Sequence, residues 1–104
     1  MTDKIASHYQ TVKDFHPEYM EAVEKLGLAA KNAGPLDPKT AQLIQLAGSI
    51  ACRSEGAVHS HTKRALEAGA SREEIRHTVL VLTNTLGFPA VMAGMSWVND
   101  ILDI

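Results

Sequence analysis

Apolar residues recur along this chain at three- and four-residue spacings and nowhere alternate with polar ones. The pattern therefore predicts helices, about six of them, and an all-α fold. The first helix is expected from Thr2 to Phe15, with Ile5, Tyr9, Val12 and Phe15 on one face. Proline disfavours a helical residue before it yet fits the first turn of a new helix. His16-Pro17 therefore ends the first helix and starts a second, from Pro17 to about Asn32, which Gly34-Pro35 closes. Tyr19, Met20, Val23, Leu26 and Leu28 stand among charges there, the pattern of a peripheral packing helix.

Asp37-Pro38 is a strong helix start, because Asp37 can cap exposed backbone N–H groups and Pro38 falls where its missing N–H costs nothing. In the third helix Leu43, Ile44, Leu46, Ala47, Ile50 and Ala51 form a wide apolar face, and Ala47, Gly48 and Ser49 are small enough to admit another helix closely. Between Arg53 and Gly56 the pattern falters. Ser54 can end one helix and cap the next, which would run from Glu55 to Ala68 and stop at Gly69; one continuous helix through this point is the competing reading. Ser71-Arg72-Glu73-Glu74 is a capping box and opens a fifth helix. Its stretch from Thr78 to Leu82 is apolar nearly all round and is expected to be buried on most sides, with Gly87 and Pro89 ending it. The last helix, Pro89 to about Asp103, places Val91, Met95, Val98 and Leu102 on one stripe, with Met92 and Trp97 nearby. Every interruption is a short turn, and no repeat or linker composition occurs, so one domain is expected over residues 1–104.

Composition sharpens this picture. A chain of 104 residues buries about two-thirds of its unfolded surface. With 45% apolar residues but only one Trp, two Tyr and two Phe, its core must be built from aliphatic side chains and Met. Self-association is the expected way to bury the remainder, so the expected partner is a second copy of the chain. A net charge of −2, with acidic and basic residues scattered, gives no footprint for nucleic acid. The N-terminus lacks a secretory pattern, and no apolar run approaches the roughly 18 residues of a membrane span. A cytoplasmic protein without membrane partners is expected.

Candidate chemistry concentrates in the stretch from Cys52 to Gly69, which holds the one cysteine and two of the five histidines. A lone cysteine is most often a small buried hydrophobe; the alternatives are a reactive thiol or half of an intermolecular bridge. On an unbroken helix Cys52, Glu55 and His59 would fall within about 60° of one face, where imidazolium and carboxylate could activate the thiol toward peroxide. That geometry fails if the helix breaks at Ser54. His59 and His61 are two apart and point about 160° from one another, so they cannot both face one site within a subunit. Ala57 and Ala65 lie one turn either side of His61, whereas Lys63 lies one turn after His59. His61 is therefore expected inward and His59 outward. Glu55, His59 or His61, and His77 could supply metal ligands, but no histidines pair at the four-residue interval of zinc helices. No metal and no cofactor are expected. His77 is better explained as a surface charge partner of Glu73 and Glu74.

With these residues in view, the chain resembles the carboxymuconolactone decarboxylase and AhpD-like alkylhydroperoxidase family. The resemblance covers about 36–95 and rests on LDPKTAQLIQLAGSIA, HTKRALEAGASREEI and GFPA. It implies an all-helical AhpD-like fold assembled as a symmetric homotrimer or homohexamer. The family's peroxidase branch uses a CxxC pair, a histidine four residues after it and an upstream glutamate. In register, His61 takes the histidine position, Ser54 and Ala57 take the two cysteine positions, and Gln42 takes the glutamate position. The decarboxylase branch has an acidic residue where Ala57 stands, and EEIRH carries His77 where a glutamate is common. Without a dithiol there is no intrachain disulfide cycle.

Two enzymatic readings and one non-enzymatic reading follow. The first is an antioxidant, peroxidase-type oxidoreductase using Cys52 with a histidine as proton relay. The second is decarboxylase-type acid/base chemistry on a small carboxylated lactone or keto acid through His61 and Glu55. The third is an oligomeric binding protein without catalysis. The candidate catalytic residues are His61, Cys52, Glu55 and His59.

Overall fold

The computed structural model describes residues 2–102, and the side chains of residues 7–102. The expected contribution of Ile5 and the expected helix end at Asp103 lie outside those. Among the described residues seven helices follow in order: α1 (Thr2–Phe15), α2 (Pro17–Lys31), α3 (Pro38–Ala51), α4 (Glu55–Glu67), α5 (Arg72–Val81), α6 (Thr83–Leu86) and α7 (Phe88–Leu102). The all-α expectation holds, and there is no strand among the described residues. The seventh element arises because the expected fifth helix breaks at Leu82. There the Leu82 N–H reaches back only three residues, to Val79 O, and the Thr83 hydroxyl donates to Leu80 O in place of a helical N–H. α6 is a single turn opened by Thr83, Asn84 and Thr85, residues of low helix propensity.

Backbone contacts divide the chain into two compact units, Met1–Leu36 and Asp37–Ile104. In the first, α1 and α2 pair as a helical hairpin. Pro17 occupies the first turn of α2 without a side-chain cap, and Tyr9 Oη and Lys13 Nζ both reach Glu24, at 2.6 and 3.3 Å. Met20 is buried, while Tyr19, Leu26 and Leu28 are exposed.

In the second unit α3, α4, α5 and α7 surround one aliphatic core of Leu46, Ile50, Val58, Ala65, Ile75, Val79, Val91, Val98 and Leu102, with Ala70 at its edge. The expected stripe of α7 is thus the buried one. Of the three small positions on α3, Gly48 is exposed and faces open space, while Ser49 is buried. A tight approach that the residue pattern did not mark is at Gly94 of α7, where a Cβ would stand 2.8 Å from Ile50 Cγ2. Thr78 to Leu82 also departs from expectation, because only Val79 is buried and Leu80 and Val81 are exposed. One face of α5 suffices to cover the core, and the other carries apolar residues outward.

Two turns aim α4. At its C-terminus Gly69 takes φ 98°, the Gly69 N–H bonds Leu66 O and the Ala70 N–H bonds Ala65 O, a Schellman closure with Ala70 packed inward. At its N-terminus the same pattern closes α3. Arg53 stands at φ 55°, its N–H bonds Ile50 O, and the Ser54 N–H bonds Ser49 O. Ser54 then caps α4 by accepting from the Ala57 N–H at 3.3 Å.

Candidate functional site on the α3 to α4 elbow and the two faces of α4

The elbow decides which candidate residues can meet. Because α3 ends at Ala51 and Arg53 turns the chain into the left-handed region, Cys52 becomes the last cap of α3 rather than a member of the α4 face. The expected cluster of Cys52, Glu55 and His59 is therefore not formed. Cys52 is exposed, not the buried hydrophobe that a lone cysteine usually is.

The two histidines of α4 engage different helices, as their spacing requires. His61 Nδ1 lies 2.9 Å from Gln42 Oε1 of α3, and Gln42 is itself buried. An amide oxygen can only accept, so in this arrangement the ring proton sits on Nδ1 and Nε2 is the nitrogen that can take up a proton. His59 lies on the opposite side, with Nε2 2.9 Å from Asp100 Oδ2 of α7. His59 is only 1% exposed and His61 is half-buried, the reverse of the sequence expectation. The turn-by-turn neighbours of His61 are small, but α4 is wedged between α3 and α7. The side toward α7 receives Val58, His59 and Thr62, all fully buried.

Glu55 falls one turn before His59, on the same face. Glu55, His59 and Asp100 offer one ligand atom each, all within 4.8 Å of one another. Among the described residues neither carboxylate is joined to a lysine or arginine, and His59 Nδ1 is buried without a hydrogen-bond partner. Glu55 and His61 are not brought together; six residues put them roughly 120° apart around the helix. Asp100, an ordinary polar position on α7, was missed because only the packing of α7 against α4 brings it in. His77 does not join any of these groups. It is exposed on α5, and of its two expected charge partners, Glu73 and Glu74, the second is bonded instead by Lys39 Nζ at 2.9 Å.

Backbone donors hold two carboxylates in their charged form at the starts of α3 and α5. The Thr40 N–H holds the Asp37 carboxyl below its ordinary value. The Ser71 N–H, then Lys39, does the same for Glu74, while bonding to Glu74 raises Lys39.

Known proteins place this geometry in context. The family model described as "Carboxymuconolactone decarboxylase family" matches residues 17–100. An uncharacterized protein of Methanocaldococcus jannaschii, MJ1511, is 30% identical over 96 residues, covering 92% of this chain and 90% of that one. The crystal structure of apo-lpg0406, a carboxymuconolactone decarboxylase family protein from Legionella pneumophila, superposes with a TM-score of 0.86 at 26% identity, over 98% of this chain and 91% of that one. By the extent of these matches, this chain belongs to the carboxymuconolactone decarboxylase family.

Proposed function

We propose that this protein is a thiol-independent acid/base enzyme of the decarboxylase type, acting on a small carboxylated lactone or keto acid, with His61 as the proton-carrying group. The observation that carries the proposal is the 2.9 Å bond between His61 Nδ1 and Gln42 Oε1. The two positions where the family's peroxidase branch has histidine and glutamate are in contact here, while Ser54 and Ala57 stand where that branch has its paired thiols, which leaves the histidine pair without the dithiol. Gln42 accepts the Nδ1 proton and holds the ring, so that Nε2 can take a proton from a substrate carbon or hydroxyl and return it. A neutral amide orients the imidazole without the added charge that a carboxylate would bring to the imidazolium. The active form is a symmetric homo-oligomer, supported by the exposed apolar side chains Leu80, Val81, Phe88 and Met92.

The test is turnover of a panel of small carboxylated lactones and 2-keto acids, followed by carbon dioxide release. His61→Ala is expected to lower the rate by about 10²- to 10⁴-fold, and Cys52→Ser to leave it unchanged. One observation favours a second reading, peroxide reduction. Cys52 is exposed and so within reach of peroxide. Its thiolate would displace water or an alcohol from the O–O bond and become a sulfenic acid, which an external thiol must reduce. Loss of peroxide consumption in Cys52→Ser, with no decarboxylation by the wild type, would establish that reading and overturn the first.

A further inference from the structure

The family register accounts for His61 and Gln42 and leaves the opposite face of α4 unexplained. Glu55 and His59 stand one turn apart there, so their side chains lie on one stripe, and Asp100 of α7 closes over them. Imidazole and carboxylate are the ligands that first-row divalent metals take together, whereas sites for calcium or magnesium are built from oxygen alone. We infer that Glu55, His59 and Asp100 form a binding site for a first-row divalent metal ion, between α4 and α7.

Three features carry this. The first is charge. With His59 neutral, the trio holds two negative charges within 4.8 Å, and no lysine or arginine among the described residues is paired to either carboxylate. A divalent cation balances that charge fully; a proton on His59 balances half. The second is the imidazole. His59 is 1% exposed, and its one bonded nitrogen faces Asp100 while Nδ1 is buried and unmatched. Replacing the Nε2 proton by a metal moves that proton to Nδ1. One ring nitrogen is then unmatched in either state, and metal binding incurs no new cost there. The third is access: the Asp100 side chain is 36% exposed, so the ion and its remaining water ligands have a route from solvent. Donor atoms bonded to one ion at about 2.0–2.2 Å lie roughly 3–4 Å apart, so the trio closes around an ion by side-chain rotation of the half-buried Glu55. Nothing in this depends on His61, which faces α3.

The experiment is titration of the chelator-treated full chain with Zn²⁺ and Mn²⁺ by calorimetry, and with Co²⁺ by visible absorption, which reports nitrogen and oxygen ligation. The expected result is one ion per chain, with affinity reduced by roughly tenfold or more in Glu55→Gln and in Asp100→Asn. Cys52→Ser and His77→Ala, which change other potential ligands, are expected to bind as the wild type does. The two carboxylate variants carry the test because both groups are partly exposed and their replacement leaves the core intact; circular dichroism verifies this. Absence of stoichiometric binding overturns the proposal, as does binding that both carboxylate variants retain at full strength.

Discussion

Gly94 and Ile50 show how narrow the tolerances are in the core of the second unit. A methyl at position 94 would meet Ile50 Cγ2, Cγ1 and Cδ1 at 2.8, 3.0 and 3.1 Å, and Ile50 is itself almost fully buried. Gly94→Ala is therefore expected to cost about 1–3 kcal/mol through overpacking, measured by denaturant unfolding. In the double variant with Ile50→Ala the new methyl enters the vacated space, so the combined loss should be smaller than the sum of the single losses. Neither effect was visible in the residue pattern, which pointed to Ala47, Gly48 and Ser49 as the small positions. Composition marks where a close approach is possible, but which glycine meets a neighbour depends on how two helices cross. The histidines make the same point. Their angular separation on a helix follows from their spacing, yet the more buried one is set by α7 and its Asp100.

At the level of the element, the caps were the most legible features. Asp37 accepts from the Thr40 N–H at 2.7 Å, and Ser71 and Glu74 form the reciprocal capping box that their spacing announces. Ser71→Ala is expected to destabilise the fold by about 1 kcal/mol. Acid should act through the same caps. Asp37 and Glu74 titrate lower in the fold than their ordinary values of 3.8 and 4.5. Their stabilisation is thus complete above those values and is lost as pH falls through the lowered ones. Lys39 is raised above 10.5, so its share is held below that value and lost only in strong base. Thermal melting followed from pH 6 downward should show Tm declining below about 4.5, with a shallower decline in Asp37→Asn and Glu74→Gln. The elbow before α4 was less legible. Ser54 signals a cap, but Arg53 in the left-handed position carries no sequence mark, since glycine is the usual residue there. That one turn separates Cys52 from the Glu55 and His59 face.

For the molecule as a whole, the informative departure is the outward apolar face of α5 and the start of α7. Leu80, Val81 and Phe88 are more than half exposed, although periodicity alone suggested burial on most sides of Thr78 to Leu82. Self-association through this face is the expected outcome. Sedimentation velocity should give a species of several times 11.3 kDa, and Val81→Glu or Phe88→Glu should shift it toward the monomer with helix content unchanged. A wild-type chain that sediments as a monomer would remove the oligomer from the proposed function. No helix among the described residues is long and apolar enough to cross a membrane.

Whatever depends on neighbours within a few residues was determined by the sequence alone: the all-helical character, the caps at Asp37 and Ser71, the aliphatic stripe of α7 and the opposed directions of His59 and His61. Those properties follow from backbone geometry and side-chain chemistry over a single turn or two. Only the tertiary structure decided which distant residues meet. It replaced Cys52 by Asp100 as the neighbour of Glu55 and His59, brought Gln42 to His61, and placed Gly94 against Ile50. These pairings depend on the angles at which α3, α4 and α7 pack, which the whole core sets jointly and no local pattern encodes.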